Sequence, residues 1–175
     1  RKKFLNTGKT EHETQTANVL ALHFNLTDNK EREAEKLVKD IEACGHLKTG
    51  FVGTPYLLHV LQDIGRTDLA YKLLLKDTFP SWLYSVKMGA TTMWERWDGM
   101  KPDGSFATPE MNSFNHYAYG AVGDWMFSTV AGIRPDENEP GYKHIIFEPR
   151  PNKELGYAKA RILTANGEII SSWEY

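Results

Sequence analysis

The chain has 175 residues, of which 41% are hydrophobic and 25% charged, and its net charge of −2 argues against a nucleic-acid-binding surface. No apolar stretch approaches the roughly 20 residues that span a membrane, so neither nucleic acid nor a membrane is an expected partner. The single cysteine, Cys44, cannot form an internal disulfide and therefore carries no information about the compartment. Because the sequence starts without Met, we expect it to be part of a longer polypeptide.

Apolar residues at helical spacing predict a series of helices in the first 132 residues. The expected helices run over about 11–25, 28–44, 54–64, 67–74, 80–87 and 113–130. The expected N-terminal caps are Asp28, Thr54, Thr67 and Ser113, and Pro80-Ser81 is expected to open a short helix; the expected glycines just beyond helix ends are Gly45 and Gly65. The charged face of the second helix, which includes Glu33 and Asp40, is expected to be a solvated exterior.

Near Gly132 the pattern changes from helical to extended. Residues 133–141 are polar and rich in turn formers, which indicates a linker. Beyond it, residues 144–147, 158–163 and 169–173 are short β-type segments, and Asn166-Gly167 predicts a hairpin between the last two. Three strands cannot bury both faces of a sheet, so this tail should belong to a larger β-domain or lie against the helices.

The segment Gly89-Ala-Thr-Thr-Met-Trp-Glu-Arg-Trp-Asp-Gly99 is the most informative part of the chain. It places Glu95 between Trp94 and Trp97, within a loop of some two dozen residues that is long enough to suggest function. Tryptophan faces beside carboxylates suit a sugar site, because they supply apolar walls for the ring and groups for proton transfer. A structural ion-pair cluster, with Glu95 bound to Arg96, is the alternative.

Several segments, taken together, resemble the second half of the catalytic domain of bacterial α-L-rhamnosidases of glycoside hydrolase family 78. They are Thr14-Gln-Thr, Gly50-Phe-Val-Gly-Thr-Pro, Phe79-Pro-Ser-Trp, Ala90-Thr-Thr-Met-Trp-Glu-Arg-Trp-Asp and Ser113-Phe-Asn-His-Tyr-Ala-Tyr-Gly-Ala-Val-Gly. The resemblance implies a mainly α fold that forms part of an (α/α)6 barrel of helical hairpins, followed by a few strands of a C-terminal β-sandwich. The expected division is barrel at 1–132, linker at 133–141 and the beginning of the β-domain at 142–175.

The resemblance also implies an inverting hydrolase that removes terminal α-L-rhamnose with Glu95 as general base. The residues expected to bind substrate are Trp94, Trp97, His116, Arg96, Asp98, Phe51 and Thr54. His116 matches the histidine of the family's Asn-His-Tyr motif, and the tryptophans would form a wall against the C6 methyl of rhamnose. No cofactor is implied, and the remaining histidines lack metal-ligand spacing.

The general acid of the family lies in an upstream acidic motif that this sequence does not contain. We therefore expect the rest of the same polypeptide, an N-terminal half-barrel, to be a partner of this chain, beside a rhamnose-containing glycoside, oligosaccharide or polysaccharide. Two alternatives stay open: a non-catalytic carbohydrate-binding module, and another (α/α)6 glycosidase such as a phosphorylase or trehalase relative. The compartment is not fixed by the sequence; a bacterial periplasmic or secreted location is expected, with a cytoplasmic one left open.

Overall fold

The computed structural model describes the backbone of residues 5–6 and 9–10, which form the short strands β1 and β2, and all of residues 14–175. The first three residues of the helix expected from Glu11 lie outside these ranges. The chain divides into two compact units, Arg1–Ala121 and Val122–Tyr175, which are described separately. The domain boundaries taken from the sequence stay a prediction.

Apart from β1 and β2, the regular structure in the described part of the first unit is helical. Its helices are α1 Gln15–His23, α2 Lys30–Cys44, α3 Thr54–Asp63, α4 Thr67–Leu74 and α5 Trp82–Lys87, followed by a 3₁₀ turn at Ala118–Ala121. Helix α1 packs against α2 and α3, and α3 packs against α4. Apolar residues of these helices supply the core, with Val19, Leu37, Ile41, Leu57 and Leu61 almost fully buried.

The helix boundaries follow local hydrogen bonding, and the expected N-caps of α2, α3 and α4 were wrong. The cap of α2 is Asn29, whose side chain accepts from the Arg32 N–H at 3.0 Å, and the cap of α4 is Arg66. Thr54 is the first residue of α3, and its hydroxyl pairs with that of Thr49 at 2.8 Å instead of capping the helix. The N-cap of α5 is Ser81, whose side chain accepts from the Tyr84 N–H at 3.1 Å.

The glycines expected beyond the helix ends are confirmed. Gly45 and Gly65 take the left-handed conformation, with φ of 70° and 78°. At this point the backbone must leave the helix with a positive φ, which costs glycine little.

The charged face of α2 is not uniformly solvated, so that expectation was wrong. Glu33 is 0% exposed, and its carboxylate accepts a 2.9 Å hydrogen bond from Arg32. Asp40 accepts from the Gln15 amide at 2.9 Å and from Lys48 at 3.0 Å. Gln15, which is itself buried, thus ties α1 to α2, because a buried amide requires hydrogen-bond partners.

The long helix expected from Ser113 to Val130 was wrong in its first part. Helical turns start only at Ala118. They continue in the second unit as a short helix α6 (Val122–Trp125) and a π-helical turn (Met126–Val130). Residues 113–117 stay outside the helix because the backbone of Ser113 and His116 is bonded to another segment, described below.

The second unit adds two antiparallel strand pairs. Strand β3 (Ile133–Pro135) pairs with β4 (Ile145–Phe147), and β5 (Tyr157–Thr164) pairs with β6 (Gly167–Glu174). The three predicted β segments and the hairpin are confirmed. The hairpin loop is Ala165–Asn166, with Gly167 already in the strand, and β3 was not predicted.

The inner face of the β5–β6 hairpin packs on the segment that follows the π-helical turn. Ile169 joins Ala131 and Ile133 in a small buried cluster. The Ser171 hydroxyl donates to the Ala131 carbonyl at 2.6 Å, and the Trp173 indole donates to the Val130 carbonyl at 2.7 Å. The hairpin is therefore held by both apolar burial and two hydrogen bonds that satisfy backbone carbonyls.

Gly132 is predicted to be the most sensitive glycine of this unit. Its φ is 69°, and an added Cβ would lie 2.0 Å from the Pro149 nitrogen. Gly132→Ala should cost more than about 3 kcal/mol, because left-handed strain of about 1–2 kcal/mol is joined by a clash with backbone. The measurement is hydrogen exchange at the amides of β3 and β4, which should lose protection at least about tenfold.

The matched control is Gly141→Ala. Gly141 has a similar φ of 79° but open space around a new Cβ, so only the strain remains. Equal losses of protection in the two variants would contradict the assignment of the effect to the Pro149 contact.

Candidate active site

An open cavity of about 320 Å³ lies in the first unit. It is lined by Phe51, Phe79, Glu95, Arg96, Trp97, Asp98, Met111 and Tyr119. Five of the residues expected to form a site therefore meet on one cavity, although they come from two separate loops. The lining combines charged side chains with aromatic faces, which is the combination a sugar site requires.

The segment that carries Glu95 is fixed by pairing with the segment after Asn112. The His116 N–H donates to the Met93 carbonyl at 2.8 Å, and the Glu95 N–H donates to the Ser113 carbonyl at 2.8 Å. The Thr92 hydroxyl donates to the Phe114 carbonyl, and the Asn112 amide donates to the Gly99 carbonyl at 2.8 Å. We call residues 92–99 and 112–116, joined in this way, the loop clamp.

The loop clamp also holds the Glu95 side chain. The Ser113 N–H donates to Glu95 Oε2 at 2.8 Å, so this carboxylate is bonded to the same residue as its own backbone. Within residues 14–175 the other oxygen, Oε1, has no hydrogen-bond partner. One oxygen is thus fixed and the other is left free for a ligand or water.

Arg96 pairs with Asp98 and not with Glu95. Its Nε donates to Asp98 Oδ1 at 2.9 Å and its terminal nitrogen to Oδ2 at 3.2 Å, a bidentate arrangement. The hydrogen bonds to Asp98 raise the pKa of Arg96, and burial opposes this in part. The alternative interpretation, in which Glu95 is the ion-pair partner of Arg96, does not match this geometry.

Aromatic rings form the apolar side of the cavity. Trp97 stacks on Tyr119 with ring centroids 3.8 Å apart, and its ring meets Trp82 edge-to-face at 5.3 Å. Phe51 contacts Tyr119 at 5.1 Å and stacks on His116 at 4.7 Å. His116 therefore lies beside the rim formed by Phe51, with its backbone in the loop clamp.

Two of the residues expected to bind substrate are placed elsewhere. Trp94 is 4% exposed and packs edge-to-face on Phe114, with ring centroids 5.1 Å apart. Thr54 is buried and bonded to Thr49. Of the two tryptophans beside Glu95, Trp97 lines the cavity and Trp94 supports the loop clamp from the core.

Three lining residues were not expected from the sequence. Phe79 and Tyr119 both lie in segments that carried the resemblance, Phe79-Pro-Ser-Trp and Ser113-Phe-Asn-His-Tyr-Ala-Tyr. Their position in these motifs could therefore have marked them as residues of the site. Met111 lies in the polar part of the long loop, where no pattern marked it.

The described residues contain no group of three or more His, Cys, Asp or Glu side chains that could hold a metal ion. None of the described helices is long and apolar enough to cross a membrane.

Comparison with protein families assigns both parts of the chain. The model of the bacterial alpha-L-rhamnosidase 6 hairpin glycosidase domain matches residues 1–130, and that of the bacterial alpha-L-rhamnosidase C-terminal domain matches residues 132–175. The first region is therefore part of an (α/α)6-barrel glycosidase domain, followed by part of a β-domain, which confirms the predicted fold class. The chain belongs to the bacterial α-L-rhamnosidase family, as the sequence motifs indicated.

Similar proteins agree with this assignment. An alpha-L-rhamnosidase of Streptomyces avermitilis is 51% identical over 95% of this chain, and one of Formosa agariphila is 47% identical over 98%. The chain spans only 16% and 19% of these two proteins.

Solved structures lead to the same family. The S. avermitilis alpha-L-rhamnosidase complexed with L-rhamnose superposes with a TM-score of 0.91 at 47% identity, over 99% of this chain and 17% of that one. The native enzyme of Aspergillus terreus superposes with a TM-score of 0.92 at 39% identity, over 99% of this chain and 20% of that one.

Gly99→Ala is predicted to loosen the loop clamp. A Cβ there would lie 3.0 Å from Asn112 Oδ1 and 3.0 Å from the Trp94 ring. Both neighbours are packed, so we expect a cost of about 1–3 kcal/mol and faster hydrogen exchange at the Glu95 and Ser113 amides. Gly50→Ala is the control, because its new Cβ meets open space. Unchanged exchange in Gly99→Ala would show that the clamp does not depend on this contact.

Proposed function

We propose that the polypeptide containing this chain removes terminal α-L-rhamnose from glycosides by an inverting general acid/base mechanism, with Glu95 as the general base. The observation that carries the proposal is the carboxylate geometry. Glu95 Oε2 is held by the Ser113 N–H at 2.8 Å, while Arg96 is occupied by Asp98. A carboxylate that is positioned but not paired with a cation can accept a proton from water.

In the proposed reaction, Glu95 Oε1 takes a proton from a water that attacks the anomeric carbon. A carboxylic acid on the opposite side of the sugar protonates the leaving oxygen, and the two carboxyl groups of an inverting enzyme lie about 6.5–9.5 Å apart. Asp98 is the other acid on the cavity, but it accepts both hydrogen bonds of the Arg96 fork. We therefore assign the general acid to the part of the polypeptide outside this chain, which is the partner that completes the site.

The aromatic side of the cavity fits a deoxy sugar. Trp97 and Phe51 offer apolar faces for the ring and its C6 methyl, and Arg96 and Asp98 offer polar groups for ring hydroxyls. His116 lies beside this surface, stacked on Phe51. The S. avermitilis relative that superposes on this chain was solved with L-rhamnose bound, which supports the choice of sugar. Trp94 and Thr54 contribute by packing behind this surface.

Glu95→Gln in the longest natural polypeptide that contains this chain should lose turnover of an aryl α-L-rhamnoside by about 10²–10⁴-fold, because an amide cannot accept the proton. The change keeps the size of the side chain and the bond from Ser113. Steady-state hydrolysis rates provide the measurement. Glu110→Gln is the matched control, since Glu110 is exposed in the same long loop and, among the described residues, bonds only to neighbouring Thr108.

Unchanged turnover of Glu95→Gln would reject the general-base assignment. No turnover by the unmutated polypeptide on a panel of glycosides would favour the carbohydrate-binding module instead.

The stereochemical course gives a separate prediction. An inverting reaction should first release β-L-rhamnose, because water attacks from the face opposite the leaving group. Proton NMR of the anomeric signal during the first minutes of hydrolysis measures this. For Glu95→Ala, azide should restore turnover and yield the β-azide. Initial release of α-L-rhamnose would contradict inversion and require a nucleophilic carboxylate.

A further inference from the structure

Tyr119 is the most firmly held residue on the cavity that the proposed mechanism leaves without a role. Its ring is only 7% exposed, with Trp97 stacked at 3.8 Å and Phe51 in contact at 5.1 Å. Its backbone carbonyl accepts a 2.9 Å hydrogen bond from the Trp82 indole. Side chain and main chain are thus fixed independently, which pre-organises the phenol.

The hydroxyl of Tyr119 is not used by the part of the protein that the structure describes. No residue among 14–175 makes a hydrogen bond to it. Tyr84 provides a comparison within the same aromatic region, because its hydroxyl donates to the Met100 carbonyl at 3.0 Å. The hydroxyl is not enclosed by the described residues, so on the cavity it is open to a group that comes from the ligand.

Burial favours the protonated form of this hydroxyl. Burial raises the pKa of Tyr119, and the nearby carboxylates of Asp98 and Glu95 raise it further, while Arg96 acts in the opposite direction. At neutral pH the group is therefore a neutral O–H that can donate one hydrogen bond and accept others.

We propose that the Tyr119 hydroxyl makes a direct hydrogen bond to a ring hydroxyl of the terminal deoxyhexose, in the cavity that contains Glu95. This inference rests on the proposed function and adds a substrate-contacting residue to it. The bond anchors the sugar from the side of Trp97, so that the anomeric carbon is presented to the carboxylate held by Ser113. Tyr119 takes no proton in the reaction; its contribution is to binding and orientation.

The test is Tyr119→Phe in the longest natural polypeptide containing this chain. This variant removes only the hydroxyl and keeps both ring contacts. We expect kcat/KM for an aryl α-L-rhamnoside to fall roughly tenfold, because a factor of this size corresponds to the usual binding free energy of one neutral hydrogen bond. Tyr157→Phe, which removes an exposed hydroxyl from β5, is the control and should leave kcat/KM unchanged.

Analogues that lack one ring hydroxyl at C2, C3 or C4 identify the contact. For the analogue without the contacted hydroxyl, the unmutated enzyme and Tyr119→Phe should have nearly equal kcat/KM, because the bond is already absent. For the other two analogues the roughly tenfold difference should persist. A purely structural role of Tyr119 would lower kcat/KM by the same factor for all substrates, which would overturn the inference.

Failure of the proposed function can be separated from failure of this inference. If the unmutated polypeptide hydrolyses no rhamnoside, calorimetric binding of L-rhamnose to it and to Tyr119→Phe still measures the contact. A roughly tenfold weaker Kd in the variant supports the bond. Equal affinities, or equal kcat/KM for the aryl α-L-rhamnoside, would overturn it, provided that melting temperatures confirm that both proteins are folded.

Discussion

The site depends on one backbone pairing, in which residues 93–95 and 113–116 exchange hydrogen bonds across two loops. The Glu95 N–H and the Ser113 carbonyl form one bond, and the Ser113 N–H and Glu95 Oε2 form the next. The same pairing prevents residues 113–117 from joining the helical turns that start at Ala118. Here a non-local contact that fixes the Glu95 carboxylate overrides the local tendency to form a helix. Such conflicts between local and non-local interactions are common at functional sites.

The distribution of charge follows from this arrangement. Four consecutive positions bring two carboxylates and one guanidinium together, and the fork of Arg96 closes on Asp98. Glu95 is held by a backbone N–H, which orients it without neutralising it, and its second oxygen stays available. Aromatic rings beside these groups form the apolar wall of the open cavity. A fixed base, a cation paired with Asp98 and an apolar wall are what the proposed chemistry needs from this half of the site.

The sequence predicted what depends on local pattern and motif, and missed what depends on distant pairing. Apolar spacing together with capping and turn residues located α1 to α5. The motif around Glu95 holds four of the eight residues that line the cavity. It could not distinguish Trp97 on the cavity from Trp94 in the core, because both flank the acid and only the tertiary packing on Phe114 separates them. Strand β3 was missed since its partner β4 lies about ten residues away, beyond a turn-rich segment.

The most direct test of the central claim is a crystal structure of the longest natural polypeptide containing this chain with L-rhamnose bound. The account predicts that Glu95 Oε2 keeps its bond to the Ser113 N–H and that Arg96 stays on Asp98. It further predicts that Glu95 Oε1 faces the anomeric carbon across one ordered oxygen atom. A complex with the sugar outside this cavity, or with Glu95 paired to Arg96, would contradict the account.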